Sequence, residues 1–441
     1  MKKKIVGILI CILLITSSLF STGSAIGNFG KYKNKSFFES HINTNGDSSF
    51  DFKIKLLIGL SHVPSFTGAV IKNNSTLWKK SYGYSDIYHL KKATTDNIFR
   101  IASVTKTFTA TALLQLYEQG LFDLDDSVSE YLPFDLKNPK YPDTNITFRM
   151  LLSHHSSFCC RSVESLFQPL EPTNDVSLRN AFLGYLMNWI HLKDVRSGFF
   201  PEERFPWIKE VMVPGGSLYN EDYWGNYPPG EGYYYSNTAY ILLGYLIERL
   251  SNQSYEDYCR EHIFEPLSMH NTSFYVDELN QELLSVPYMW LHMIYIPVPY
   301  YEYRCRTSCG GLNTNLEDLS HFLIAHMNGG MYKGVRILNE STVEEMHTVQ
   351  YPHIEPGEYG LGWEIGEVYD GIVEGHGGST IGFNTGMYYF RQANSSEKTG
   401  LIYYWNEEML GSSIIGFLKQ LKDFLLHDQL VFAFLDWALE F

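Results

Sequence analysis

A serine and a lysine three residues apart open a predicted helix, in the segment Phe99-Arg100-Ile101-Ala102-Ser103-Val104-Thr105-Lys106. Residues at i and i+3 share one face of a helix, so the Ser103 hydroxyl and the Lys106 amine can touch. A serine hydroxyl becomes a good nucleophile when a neighbouring group takes its proton, and an amine can do this when its charged form is disfavoured. The alternative is an ordinary helix start with an exposed lysine. Spacing alone favours that alternative, so the hypothesis depends on partners elsewhere in the chain.

A tyrosine and an asparagine two residues apart form a second candidate group, at Tyr235 and Asn237 in the segment that begins Pro229-Gly230. In an extended turn these two side chains point the same way. A phenol near Lys106 can share a proton with it, and we expect the pKa of Tyr235 to fall below its usual value of about 10 beside that positive charge. Asn237 can orient the amine and donate to a substrate carbonyl. Taken alone, a run of tyrosines is more typical of core packing.

A histidine followed by two glycines forms a third group, His376-Gly377-Gly378-Ser379, ahead of an apolar strand around Phe383. Glycines let a substrate lie against a strand edge without obstruction by side chains. The exposed amides can then bind a developing oxyanion. The alternative is a glycine-rich turn with a surface histidine.

Secondary-structure elements must bring these three groups together. Apolar residues on both sides of Asn73-Asn74 predict a hairpin over 67–83. The Ser103 helix is expected to end near Gly120, and Thr147 and Ser236 are predicted helix caps. A short helix is predicted from Phe52, another helix over 316–327, and strands over 360–365, 382–390 and 400–405.

In their order along the chain, the three groups resemble the motifs of the serine β-lactamase and penicillin-binding protein superfamily. More narrowly, they are similar to class C β-lactamases and to their D-Ala-D-Ala carboxypeptidase and esterase relatives. The resemblance runs from about residue 55 to about residue 425. Four further segments agree with the family pattern: 150–156 after the nucleophile helix, 308–314 with its Gly-Gly turn, 359–363, and 375–383.

The resemblance implies a role for each of these residues. Ser103 is the acylated nucleophile and Lys106 is its proton partner. Tyr235 serves as general base and then as acid, with Asn237 beside it. The family's oxyanion hole is formed by two backbone amides, here those of Ser103 and Ser379. The substrate-binding set is Asn237, His376, Gly377, Gly378 and Ser379. No metal or organic cofactor is implied.

The same resemblance implies an α+β fold of the β-lactamase/transpeptidase type, with an antiparallel sheet flanked by helices and an inserted, mostly helical domain. We assign residues 51–130 and 300–427 to the sheet domain and residues 131–299 to the helical domain, which carries a long insertion at 158–230. Residues 428–441 form an apolar C-terminal tail that is too short to cross a bilayer and is expected to dock on the body.

Two positions depart from the family pattern. His376 stands where lactamases and carboxypeptidases usually carry lysine, and a neutral imidazole attracts a substrate carboxylate less than an ammonium does. Ser157 stands where the family usually has glycine, and the insertion is longer than in compact members. We therefore expect a serine hydrolase that acts through an acyl-enzyme on an ester or peptide substrate.

Two alternatives stay open. One is a β-lactamase or D-Ala-D-Ala carboxypeptidase. The other is a non-catalytic surface protein that keeps the fold and binds a peptide or glycan, which the aromatic-rich segment 199–229 would favour. Intact Ser103, Lys106, Tyr235 and Asn237 argue against the second alternative.

Bulk properties exclude some partners. The 441 residues are 44% hydrophobic and 15% aromatic, which is typical of a globular protein with a large core, and the formal net charge is -15. Nucleic acids and anionic membrane surfaces both favour basic patches, so this charge argues against either as a partner. We expect a small-molecule or peptide substrate instead.

The N-terminus has the pattern of a secretory signal. Met1-Lys2-Lys3-Lys4 precedes an apolar run, and the small residues Gly23 and Ala25 follow it. This pattern predicts a signal peptide over residues 1–25, a polar flexible tether over 26–50, and a secreted or extracytoplasmic protein that meets the membrane only transiently. The alternative is an uncleaved N-terminal membrane anchor, because the apolar run is close to the lower limit for a span.

Overall fold

A computed structural model describes residues 47–159, 204–291, 294–298, 300, 306–355, 358–368, 370–392 and 397–409. Its α-helices, in chain order, are α1 (Asp47–Ser61), α2 (Thr105–Glu118), α3 (Phe148–Leu152), α4 (Arg204–Met212), α5 (Asn237–Ser251), α6 (Tyr255–Cys259), α7 (Thr307–Gly310), α8 (Leu316–Met327) and α9 (Glu340–Met346).

The strands are β1 (Ser65–Lys72), β2 (Ser75–Asp86), β3 (Lys91–Lys92), β4 (Phe99–Arg100), β5 (Tyr288–Leu291), β6 (Ile294–Pro297), β7 (Asn313–Thr314), β8 (Met331–Tyr332), β9 (Val335–Arg336), β10 (Glu364–Val368), β11 (Gly371–Thr380), β12 (Phe383–Gln392), β13 (Lys398–Trp405) and β14 (Glu407–Met409). Seven of them form the main sheet in the order β10-β11-β12-β13-β1-β2-β3. Smaller sheets join β14-β5-β6, β4-β7 and β8-β9.

The main sheet is antiparallel and joins the two ends of the described chain. β1 pairs with β13 in a register that runs from Phe66 opposite Trp405 to Lys72 opposite Thr399. The first strand of the chain therefore lies beside its last long strand. An antiparallel sheet with helices packed on it confirms the α+β class predicted from sequence.

Both faces of β1 are buried, because alternate residues of this strand join different apolar clusters. On β1, Val70 packs with Ile54 and Ile58 of α1 in one apolar cluster. Its neighbours Ala69 and Ile71 point to the other face and join the larger core. The sheet is thus the middle layer at β1, with α1 on one side and the larger core on the other.

Helix α2 runs through the larger core. Residues 105–114 are all buried, which is typical of a helix covered on every side. The Phe108 ring stacks on the ring of Phe322 in α8, with 3.7 Å between ring centroids. Close packing on all sides fixes the first turn of α2, which carries Lys106, relative to the sheet.

Local sequence signals placed several boundaries correctly. Asn73 and Asn74 join β1 to β2 with φ angles of 51° and 59°, the left-handed conformation that a two-residue hairpin turn requires. The Thr147 side chain accepts a hydrogen bond from the Met150 amide at the start of α3. The Ser236 side chain does the same for the Ala239 amide at the start of α5. The predicted hairpin and both caps are confirmed.

Two boundaries differ from the predictions. Helix α1 begins at Asp47, five residues before the predicted start at Phe52, so residues 47–50 are helical rather than part of a tether. Strand β10 begins at Glu364, because the Gly360 amide donates to the Trp363 carbonyl and closes a turn over most of the segment predicted as strand. The His376 group lies within β11, which pairs with β12 as far as Thr380, so it forms part of a strand and the alternative of a glycine-rich turn is wrong.

Several predicted segments lie outside the described residues: the signal peptide over 1–25, most of the tether and the tail over 428–441. The division of the chain into two domains stays a prediction. Within the described part of the chain, no helix combines the length and apolar character needed to cross a bilayer.

Candidate active site

Ser103 sits in a tight turn that leads into α2. A 3-10 turn spans Ala102–Val104, and α2 follows it directly. Ala102 has a φ of 46°, a left-handed conformation that is uncommon for a residue with a side chain and is often found at functional sites. The residues on both sides of Ser103 are buried, while Ser103 itself is partly exposed. The turn therefore presents one hydroxyl at the surface of an otherwise closed core.

Lys106 is fully buried and its amine faces the hydroxyl of Ser103. Its Nζ lies 3.1 Å from Ser103 Oγ, 2.7 Å from Asn237 Oδ1 and 2.7 Å from the carbonyl oxygen of Cys309. An amide oxygen and a backbone carbonyl only accept hydrogen bonds, so each takes one N–H of the amine. In a neutral amine the lone pair is then directed toward Ser103. The Cys309 carbonyl is a functional contact that the sequence did not indicate.

Tyr235 completes this group. Its phenol is hydrogen-bonded to the Ser103 side chain, and Lys106 Nζ lies 4.9 Å from the centre of its ring. Desolvation raises the pKa of Tyr235 well above 10, and the hydrogen bond to Ser103 only partly opposes that rise. The expectation that the pKa would fall beside lysine is wrong, because the loss of hydration outweighs the nearby charge. Tyr235 carries its proton at neutral pH.

His154 holds the segment that bears Tyr235. Its Nδ1 accepts a hydrogen bond from the Ser236 amide at 3.1 Å, and its ring centroid lies 4.3 Å from that of Tyr235. Burial lowers the pKa of His154 well below its usual value, so the ring is neutral. In the sequence, His154 lies within the family-like segment 150–156, and no role was predicted for it. Its φ of 65° turns the chain after α3 toward the site.

His376 is buried on β11 and is a neutral, fully engaged ring. Its Nδ1 donates to the Gly377 carbonyl at 2.5 Å, and its Nε2 accepts from the Tyr359 hydroxyl at 2.8 Å. Burial, reinforced by the charge of Lys106, lowers the pKa of His376 to about 3. The ring therefore offers no positive charge to a substrate.

Among the described residues, no strand pairs with the β11 edge beside Ser103 beyond Gly375. β10 covers β11 only as far as Gly375, which pairs with Glu364. The Gly377 amide donates to the Glu364 carboxyl group on that edge. Because alternate amides of a strand point to the same side, the amide of the exposed Ser379 is directed to the same edge and is available there.

Gly378 allows the edge of β11 to pack against the turn that carries Ser103. A Cβ at this position would lie 2.2 Å from the Ile101 carbonyl oxygen and 2.5 Å from Thr385 Oγ1. Thr385 Oγ1 also donates to the Ile101 carbonyl at 2.9 Å. Only glycine allows β11 to approach the chain two residues before Ser103 this closely. The Ser103 turn and the Ser379 edge are thus packed together.

A buried carboxyl group, Glu364, lies behind the His376 ring and was not predicted. Its Oε1 lies 4.0 Å from His376 Nδ1, and the Tyr388 hydroxyl donates to its Oε2 at 3.3 Å. Burial raises the pKa of Glu364 to about 8, although the Gly377 amide, Tyr388 and the charge of Lys106 oppose the rise. Glu364 is mostly protonated at neutral pH. In the sequence it directly follows the segment 359–363, for which the family resemblance implied no acidic residue.

The family model described as Beta-lactamase matches residues 55–188 and 221–412, well over half of the chain. The chain belongs to the β-lactamase family. Among curated proteins it is similar to protein flp of Staphylococcus aureus, with 26% identity over 378 residues that cover 82% of this chain and 67% of flp. It is also similar to β-lactamase-like protein 2 of Dictyostelium discoideum, with 28% identity over 334 residues that cover 74% of this chain and 53% of that protein.

Solved structures share the fold. The octameric penicillin-binding protein homologue from Pyrococcus abyssi has a TM-score of 0.64 and 24% identity, over 81% of this chain and 73% of that chain. The D-amino acid amidase from Ochrobactrum anthropi has a TM-score of 0.60 and 22% identity, over 88% of this chain and 99% of that chain. These likenesses confirm the β-lactamase/transpeptidase fold. Family members of this kind are serine hydrolases.

Ser157, which replaces the glycine usual in the β-lactamase family, keeps the backbone conformation that a glycine would adopt. Ser157 has a φ of 64°, in the left-handed region that glycine adopts without cost. Its hydroxyl accepts from Asn138 Nδ2 at 2.8 Å and donates to the Tyr227 carbonyl at 2.8 Å. These two hydrogen bonds offset the strain and tie the turn to the chain around Tyr227.

Proposed function

We propose that this protein is an exported serine hydrolase that forms an acyl-enzyme at Ser103 from an ester or amide substrate. The observation that supports this most directly is the contact of Ser103 Oγ with two groups that can exchange protons, Lys106 Nζ at 3.1 Å and the Tyr235 phenol. A nucleophile with a base on one side and an acid on the other has the groups that acyl transfer needs.

Acylation proceeds from the form of the protein in which Lys106 is a neutral amine: Ser103 Oγ attacks the substrate carbonyl carbon and its proton passes to Lys106. The carbonyl oxygen becomes an anion that the amides of Ser103 and Ser379 stabilise. When this intermediate collapses, the bond to the leaving group breaks and the leaving oxygen or nitrogen takes the proton of Tyr235. The acyl-enzyme then coexists with a Lys106 ammonium and a Tyr235 phenolate.

In the deacylation step the two groups exchange roles. Water attacks the ester carbon, and the Tyr235 phenolate takes its proton as general base. When Ser103 Oγ leaves, it takes the proton that Lys106 holds. All groups return to their starting states, and one water has been consumed. The raised pKa of Tyr235 favours acid first and base second, the reverse of the order that the family resemblance implies.

The neutral His376 supports an ester or amide substrate over a penicillin or a D-Ala-D-Ala peptide. Both of those carry a carboxylate next to the reacting group, and a cation at this position of the strand would attract it. Here the ring has a pKa of about 3, and both ring nitrogens are engaged with Gly377 and Tyr359. An uncharged group on the leaving side fits this edge better.

Two probes test this function on the purified protein: a fluorophosphonate and a labelled penicillin, each followed by mapping of the adduct by mass spectrometry. We expect the fluorophosphonate to label Ser103 and the penicillin to leave it unlabelled. Labelling by both would favour the lactamase or carboxypeptidase alternative. No labelling, together with hydrolysis of activated esters no faster than in Ser103→Ala, would favour a non-catalytic binding protein.

Export is supported by the lysines at positions 2–4, the apolar run after them and the small residues that follow. We expect N-terminal sequencing of the protein recovered from the medium or cell envelope of its source to begin near residue 26. A first residue of Met1 in that material would favour an uncleaved anchor.

A further inference from the structure

Helix α4 lies in a segment that the family model does not match, and it is built into the core. It spans Arg204–Met212, inside residues 189–220, which the family model leaves unmatched. Its side chains Trp207, Ile208, Val211 and Met212 are all buried in the larger core. The helix is therefore part of the body of the protein, and its first residue reaches toward the site.

The guanidinium of Arg204 is buried between two carboxylates and a threonine. The Arg204 side chain is 4% exposed, and it is ion-paired with Glu248 of α5 and with Glu256 of α6, the latter at 2.6 Å. It also donates to the hydroxyl of Thr307, and that hydroxyl in turn donates to Glu256. Glu256 is buried and Glu248 is partly buried. An arginine held by two such carboxylates has a fixed orientation, because its planar fork matches their geometry.

Thr307 is the first residue of α7, the four-residue helix that supplies an acceptor to the catalytic amine. Two residues further on, the Cys309 carbonyl accepts from Lys106 Nζ at 2.7 Å. The Ser308 carbonyl accepts from Thr109 Oγ1, also at 2.7 Å. So α7 is fastened to α2 by two carbonyls and to Arg204 through Thr307.

A close approach of α5 completes this arrangement. A Cβ at Gly244 would lie 2.5 Å from Ser308 Oγ and 2.9 Å from Arg204 Nε, so only glycine leaves room for both side chains. The Arg204 guanidinium also lies 4.9 Å from the ring centre of Tyr255, whose hydroxyl is 2.8 Å from Thr109 Oγ1. Arg204 thus contacts α7 through Thr307 and is linked to α2 through Tyr255 and Thr109.

We propose that Arg204 is a positioning residue that holds α7 so that the Cys309 carbonyl faces the Lys106 amine. The proposal rests on the proposed function, because it assigns to helix α4 a part in aligning the base for Ser103. A helix of four residues has few hydrogen bonds of its own, so its position depends on contacts at its ends. If Thr307 were released, the carbonyl could withdraw and the amine would lose one of the acceptors that direct its lone pair.

The test compares two variants with one control. Arg204→Lys keeps the charge but cannot bind both carboxylates and Thr307 at once. Thr307→Val removes the hydroxyl and leaves both ion pairs of Arg204 in place, so it stays informative if the first variant does not fold. Arg149→Gln is the control, because Arg149 is paired with Asp125 and Glu345 and not with α7.

We expect both variants to label Ser103 with fluorophosphonate about 10- to 100-fold more slowly, since a displacement of about 1 Å in a catalytic group can have that effect. For an activated ester, kcat should fall with KM unchanged, in samples matched for folded protein by near-UV circular dichroism. The control should keep the wild-type rate.

The outcomes separate this inference from the function on which it rests. If the wild-type protein is not labelled at Ser103, the proposed hydrolase activity fails. If the wild type is labelled and both variants react at its rate, only the role of Arg204 is wrong. A raised KM with unchanged kcat would also overturn it, because that pattern indicates substrate binding rather than alignment of the base.

Discussion

A Lys106→Met variant is expected to label Ser103 with fluorophosphonate at least about 10³-fold more slowly than the wild type, within the range that general bases contribute. Lys106 is fully buried, and its Nζ is the basic atom placed 3.1 Å from Ser103 Oγ. Methionine fills a similar volume without an amine, so the core should stay packed. The measurement is the second-order rate of labelling, followed by intact-protein mass spectrometry.

The control for this experiment is Lys398→Met. Lys398 is a second lysine that is withdrawn from water, being partly buried, and desolvation lowers its pKa. It lies on β13 beside Glu374 and away from Ser103. We expect its variant to keep wild-type labelling. If Lys106→Met labels within tenfold of the wild type, another group takes the proton of Ser103 and the assignment of Lys106 as base is wrong.

The parts of the site that local sequence could predict are those built from neighbouring residues. Ser103 and Lys106 meet because i and i+3 share a helix face, and Ser236 caps α5 because its hydroxyl reaches the Ala239 amide. The family resemblance then indicated that Tyr235 and Asn237 would join them. The structure brings all four side chains together, while their roles stay predictions.

The remaining parts depend on contacts between distant segments. The Cys309 carbonyl is a backbone atom, and any residue type could supply it. Tyr235 gains a raised pKa only because several elements close around it and remove its water. Arg204 lies where the family pattern offers no guide. Periodicity and spacing record which face of an element is buried, but not how much hydration a particular polar group loses.

Glu364 gives the second prediction, which concerns stability. Replacing it by glutamine should remove a loss of unfolding free energy that the wild type shows as the pH rises. Burial raises its pKa from 4.5 to about 8 in the folded protein, so between these values the folded state binds a proton that the unfolded state has released. The unfolding free energy of the wild type should therefore fall relative to Glu364→Gln by about 1.4 kcal/mol per pH unit, on the order of 4 kcal/mol in total, and level off above about pH 8. Urea unfolding of both proteins from pH 5 to pH 9 measures this difference.

Glu374 provides a matched control with the opposite sign. It is a buried glutamate on the neighbouring strand β11. Although burial alone would raise its pKa, His347, Tyr389 and Arg391 hold that pKa at about 2. Its contribution to stability is present above pH 4.5 and is lost as the pH falls toward 2, so the difference between wild type and Glu374→Gln should stay flat from pH 5 to pH 8. A flat difference for Glu364→Gln over the same range would mean that Glu364 is ionised in the folded protein. In that case a negative charge would lie beside His376 and the edge of β11 at neutral pH. The preference for a substrate with an uncharged leaving group would then come from repulsion by this charge as well as from the missing cation.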